Sequence, residues 1–160
     1  MSERGGAAEA RDRGVAHTGA ALVFFTDVDC LVAPTWISSG VRALEEAGVV
    51  GAEGPLSYSI FSDSIRYKMP VNPFYHRLPT RQLNQPGRDY ACGNIAYRRD
   101  ALVAAGGFRS KTFANGREDT DLGWRMQTRG EIRFCDGMVV EHLSEEWHTR
   151  ELWRSAGRYA

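Results

Sequence analysis

The chain has 160 residues, 42% hydrophobic and 25% charged, a composition that suits one globular domain and excludes a disordered or fibrous protein. Its 20 basic and 20 acidic side chains balance, which argues against nucleic-acid binding driven by phosphate neutralisation. The longest apolar run, Ala20–Phe25, is far short of the ~20 residues that span a bilayer. Met1–Gly14 lacks the apolar segment of a signal peptide. Cys30, Cys92 and Cys135 form no CxxC pair and read as free thiols of a reducing compartment. The expected location is cytoplasmic or peripheral at the membrane.

In chain order, Ala7–Ala16 has the spacing of a short helix whose apolar face is only alanines and Val15. Ala21–Phe25 is continuously apolar, with β-branched and aromatic members, and predicts a strand buried on both faces, as in a parallel sheet. Thr35–Ala47 predicts a helix, with Thr35 as cap, Ile37, Val41 and Leu44 on one face and Gly48 past its end. Val49–Ala52 predicts the next strand, so strand, helix and strand make a βαβ unit and the class is α/β. Pro55–Tyr90 holds five of the six prolines among scattered aromatics and shows no sustained period. It reads equally as a surface excursion or an acceptor-binding loop. Gly93–Tyr97 predicts a strand entry, and Asp100–Ala105 a short helix stopped by Gly106-Gly107. Asp119–Arg129 predicts a helix with Asp119 as N-cap and Leu122 and Met126 on one face. Glu131–Cys135 and Met138–Val140 predict a hairpin around Asp136-Gly137, and Leu143–Ala160 a closing helix.

Four places could carry chemistry. Asp27 and Asp29 alternate directly after the apolar strand, so an extended backbone points both carboxylates to one side at the strand's carboxyl end. Such oxygen ligands suit Mg²⁺ or Mn²⁺, although aspartates are also common in plain turns. Glu118, Asp119 and Asp121 crowd a helix start, where acids favour the macrodipole and where one could also act as a general base. His142 follows an apolar strand and is either a packing residue or a metal ligand beside carboxylates. Cys30 reads as a small buried residue rather than a nucleophile.

The order of these motifs is more specific than any one of them. ALVFFTDVDC, GNIAYRRDALVAAGGF, GREDTDLGWRM and VVEH, in that sequence, resemble the family-2-type glycosyltransferases of GT-A fold, including the C-terminal region of their galactosyltransferase and N-acetylgalactosaminyltransferase relatives. GGAAEARDRGVAHTGAALVFF is similar to the Ala-Arg-Asn-x-Gly segment that precedes the family's DxD strand.

The resemblance implies an α/β fold with a mixed sheet flanked by helices, residues 1–160 forming a single catalytic region. It implies transfer of a sugar from a nucleotide-diphosphate sugar to a hydroxyl of a carbohydrate, lipid-linked or other acceptor, inverting and dependent on Mn²⁺ or Mg²⁺. By the same resemblance Asp27 lies by the donor's ribose, and Asp29 is a metal ligand bridging to the diphosphate. Gly93 and Asn94 run near the donor sugar, Glu118 lies on the donor side, Asp119 is the general base and His142 a second metal ligand. Nothing in Met1–Gly19 matches the family's opening nucleotide-binding units, so ~60–90 residues are expected to be missing ahead of it. Arg11-Asp12 stands where Arg-Asn is usual, and Phe113–Arg117 replaces Trp-Gly-Gly. The alternatives are a non-catalytic relative or fragment and, more distantly, a haloacid-dehalogenase-like phosphatase, which also places an aspartate pair after a strand.

Overall fold

The computed structural model describes residues 6–60, 90–109, 112 and 117–144. Their elements are α1 (Ala7–His17), β1 (Leu22–Phe25), β2 (Cys30–Val32), α2 (Trp36–Glu45), β3 (Val49–Glu53), β4 (Leu56–Ile60), β5 (Ile95–Arg98), α3 (Arg99–Ala104), α4 (Glu118–Gln127), β6 (Glu131–Phe134) and β7 (Val140–Ser144). No helix among the described residues is long and apolar enough to cross a membrane.

The strands form two sheets, one ordered β1-β5-β3-β6 and the other β2-β7-β4. In the first, β5 runs antiparallel to both β1 and β3, while β3 and β6 are parallel. The expected βαβ unit is therefore corrected. β1 and β3 do run in the same direction with α2 between them in sequence, but β5 is inserted between them. β1 also pairs antiparallel rather than parallel and lies at the edge of the described sheet, so only Phe25 of its four residues is fully buried.

Each face of this sheet carries its own core, as strand alternation requires. Phe25, Ile95 and Tyr97 pack with Leu102, Phe108, Leu122 and Met126 against α1, α3 and α4. On the other face Phe24 and Ala96 join Trp36, Leu44, Met138 and Val140. The predicted Leu122–Met126 face of α4 is fully buried. Of the predicted stripe of α2 only Leu44 is buried: Ile37 is exposed and Val41 half-buried, and Trp36, Gly40 and Ala43 face inward with Leu44. Gly40 permits this, because a Cβ there would meet the Phe24 ring, which also stacks edge-on against Trp36 at 5.1 Å.

The expected hairpin around Asp136-Gly137 is also corrected. β6 belongs to the first sheet and β7 to the second, so the turn carries the chain between sheets. β3 and β4 make the same crossing at Gly54-Pro55, so two parallel pairs, β3/β6 and β4/β7, pass from sheet to sheet side by side. The crossing is tight. A Cβ on Gly54 would collide with the Met138 carbonyl and lie 2.8 Å from the Cys135 carbonyl. Within the stretch expected to be irregular, Leu56–Ile60 is β4, and the rest of that prediction lies outside the described residues. Leu143 and Ser144 end β7 rather than begin a helix, and residues 145–160 lie outside the described set.

Candidate functional site

Asp27 and Asp29 do come together, but by a turn rather than by the alternation of an extended strand. β1 ends at Phe25, and the Cys30 N–H donates to the Asp27 carbonyl at 3.1 Å, closing a turn that leaves Val28 fully exposed. The chain then enters β2, whose Cys30 lies directly opposite His142 on β7. Directly opposed residues of an antiparallel pair point to the same face. This pairing brings His142 Nε2 to 3.4 Å from Asp29 Oδ1, although the two residues are far apart in sequence. Ligand atoms of Asp27, Asp29, Cys30 and His142 all lie within 4.8 Å of one another. Asp29 is half exposed and His142 more sheltered, so the cluster is open on the carboxylate side. Two carboxylates and an imidazole are a donor set that a divalent ion such as Mn²⁺ accepts.

A second group of acids adjoins the first. Gly93 lies in the turn between Ala91 and Asn94, close enough to Asp27 that a Cβ would stand 3.3 Å from its Oδ2. The neighbouring Cys92 N–H donates to Asp119 Oδ2 at 3.4 Å, so Asp27 and Asp119 flank the Cys92-Gly93 turn. The helix cap is corrected. Arg117, with a left-handed φ of 72°, is the N-cap of α4, and Asp119 is inside the first turn, where its Oδ1 accepts from the Thr120 N–H at 2.8 Å. Glu118 is buried. Asn94 is fully buried: its side-chain amide donates to the Pro55 and Met138 carbonyls at 2.8 and 2.5 Å, and its oxygen accepts from Trp36 Nε1 at 2.8 Å. Its side chain thus clamps the sheet crossing behind the site, and only its backbone reaches the turn.

Three residues of this site were not assigned a role by the sequence. Arg11 on α1 donates from Nη2 to Asp27 Oδ1 at 3.1 Å and from Nη1 to Glu118 Oε1 at 3.0 Å, joining the two acidic groups. The only signal was its place in the Ala-Arg-Asp-x-Gly segment. The next residue, Asp12, accepts from the Phe108 N–H at 2.9 Å and so anchors α1 to the α3 exit. Cys92 is buried at the centre of these charges. Burial pushes its thiol well above the ordinary range; Arg11 opposes the shift, and Asp119, Glu118 and Asp27 add to it. Cys30, expected to be merely small and buried, is half-buried within the Asp29–His142 cluster, and burial raises its thiol as well.

Over 79 residues, 49% of this chain, it is 30% identical to chondroitin synthase of Pasteurella multocida (strain Pm70), of which that stretch is 8%. Its fold is similar to that of GalNAc-T7 solved with UDP, GalNAc and Mn²⁺, with a TM-score of 0.64 and 16% identity, covering 91% of this chain and 32% of that one. It is equally similar, at a TM-score of 0.64 and 18% identity, to the mannosyltransferase PcManGT from Pyrobaculum calidifontis in complex with GDP-Man and Mn²⁺, covering 99% of this chain and 41% of that one. The chain thus spans less than half the length of each of these proteins. The structural likeness shows the fold, the mixed α/β arrangement of GT-A glycosyltransferases. The model of glycosyl transferase family 2 matches residues 1–104, which include Arg11, Asp27, Asp29, Gly93 and Asn94. The chain belongs to glycosyl transferase family 2.

Proposed function

We propose that this chain provides the catalytic region of an inverting, divalent-metal-dependent glycosyltransferase, which moves a sugar from a nucleotide-diphosphate sugar to an acceptor hydroxyl. The observation that carries the reading is the convergence of Asp27, Asp29 and His142 beside Glu118 and Asp119, in a chain of this family. Both solved neighbours hold Mn²⁺ with a nucleotide or nucleotide sugar, which supports the same ligands here.

In this reading Asp29 and His142 hold Mn²⁺ or Mg²⁺. When bound, the ion supplies neutralisation of the charge on the departing nucleoside diphosphate. Asp27, fixed by Arg11 on one oxygen, presents its other oxygen beside Gly93, where any side chain would crowd that oxygen and Leu56. Glu118 is held by Arg11 and shapes the donor side from beneath, and Asn94 sets the turn on which Gly93 rides. Asp119 is less buried than Glu118, and backbone N–H groups orient both its oxygens. It takes the proton of the acceptor hydroxyl as that oxygen bonds to the anomeric carbon and the bond to phosphate breaks on the opposite side. Attack opposite the leaving group inverts the anomeric configuration.

The test is a transfer assay with a panel of nucleotide sugars and carbohydrate or lipid-linked acceptors, with the product's anomeric configuration read by proton NMR. An inverted product supports the reading. A retained configuration removes Asp119 as the base. Absence of nucleotide binding with any donor favours a non-catalytic relative.

A further inference from the structure

We infer that Cys30 is itself a metal ligand, so that the Asp29–His142 site carries a thiolate and binds borderline ions such as Zn²⁺ or Co²⁺ more tightly than carboxylate and imidazole alone would, alongside Mn²⁺. The inference rests on the proposed metal role of Asp29 and His142. Cys30 and His142 are direct cross-strand partners on β2 and β7, which fixes both side chains on one face of the sheet. The Cys30 sulfur and the ligand atoms of Asp27, Asp29 and His142 all lie within 4.8 Å of one another, so shifts of a few tenths of an ångström bring them within the ~4.4 Å that two bonds to one ion can span. Arg11 holds Asp27 Oδ1, which makes Asp29, Cys30 and His142 the principal ligands and leaves Asp27 Oδ2 toward Gly93.

The surroundings suit a thiolate–metal bond. Cys30 packs against the core of Trp36, Leu56 and Val140 behind it, and the aspartates stand in front. Leu31 and Val32 are more exposed, and Cys30 is the member of β2 paired with His142 and grouped with the aspartates. Binding forms the sulfur–metal bond and releases the thiol proton to solvent. Carboxylate and water ligands alone suit Mg²⁺ and Mn²⁺, and adding sulfur to imidazole and carboxylate shifts the preference toward Zn²⁺ and Co²⁺.

The test is a Co²⁺ titration of the purified chain, following the visible d–d absorption for binding and the near-ultraviolet sulfur-to-cobalt charge-transfer band for thiolate ligation. The charge-transfer band is expected in the native chain and lost in Cys30→Ser, which still shows d–d absorption. Cys92 and Cys135 remain in that variant as internal controls. Competition with Zn²⁺ and Mn²⁺ should show Cys30→Ser losing more affinity for Zn²⁺ than for Mn²⁺. If Co²⁺ binds without the band, and binding is lost in Asp29→Asn, Cys30 is no ligand while the metal site stands. A band that persists in Cys30→Ser also overturns the inference. If neither Co²⁺ nor Mn²⁺ binds the native chain, the metal site itself fails.

Discussion

Arg11 is the residue whose removal tests the assembly of the site most sharply. Its guanidinium bridges Asp27 and Glu118, and its side chain is 20% exposed, against 38% for Asp27 and 11% for Glu118. Substituting Arg11→Met keeps an unbranched stem beside the Phe108 ring, which the guanidinium carbon overlies at 5.8 Å. The substitution leaves the buried Glu118 carboxylate without this cation. Breaking one side of a fully buried ion pair costs about 3–5 kcal/mol; this pair is only part-buried and the wetter Asp27 contact contributes little, so the expected loss is cut to ~2–3 kcal/mol. At roughly 2–4 °C per kcal/mol for a chain of this size, the melting temperature should fall by ~5–10 °C. The control is Arg13→Met, which breaks the exposed Arg13–Glu9 pair on the same helix and should cost less than ~0.5 kcal/mol. Adding Glu118→Gln to Arg11→Met removes the stranded charge and should recover part of the loss, a coupling of about 1–2 kcal/mol in a double-mutant cycle. An Arg11→Met variant no more destabilised in urea or thermal unfolding than Arg13→Met, or a cycle without coupling, would show that Arg11 does not hold the two acidic groups together.

Asp119→Asn should lower transfer by about 10²–10⁴-fold, the usual contribution of a general base, while nucleotide affinity measured by calorimetry stays near native; loss of nucleotide binding would assign Asp119 to the donor instead. Gly54→Ala should destabilise the chain by about 3 kcal/mol, because the new methyl meets the Met138 and Cys135 carbonyls, which cannot swing aside as a side chain can; a neutral effect on chemical denaturation contradicts the crossing described above. Stability should also fall in alkali. Burial raises the thiols of Cys92, Cys30 and Cys135, and raises the Tyr90 phenol to about 12 with Glu53 adding to the shift. The unfolded chain then loses these protons first, so stability is whole below the free thiol's ~8.5 and declines as pH rises above it. A melting temperature unchanged between about pH 8 and 10.5 contradicts this, and Cys92→Ala should flatten the decline.

What the sequence revealed depended on whether its signals were local. Leu122 and Met126 share a face of α4 through their own spacing, and burial agrees. Gly106 and Gly107, both with positive φ, follow α3 where the sequence placed its stop. Asp27, Asp29 and His142 could be singled out by residue type, and the β2–β7 pairing puts Asp29 and His142 side by side. Arg11 could not be recognised in this way, because its role arises from contacts 16 and 107 positions away. Asp136-Gly137 misled for a similar reason. Asp-Gly favours a hairpin locally, but β3 and β4 offer β6 and β7 partners in different sheets, and those long-range pairings prevail. β4 carried a readable signal, since Leu56-Ser57-Tyr58-Ser59-Ile60 alternates apolar and polar residues, but it is only five residues long and adjoins a proline-rich stretch without any period.

If Asp29 and His142 form the metal site through which a nucleotide-diphosphate sugar is held, nucleotide binding depends on the ion and on both residues. Isothermal calorimetry of UDP and GDP against the 160-residue chain, with and without Mn²⁺, tests it most directly. The expected result is binding that requires Mn²⁺ and is lost in Asp29→Asn and in His142→Ala while both variants remain folded. Binding of equal strength without any divalent ion, or retained in both variants, would contradict it.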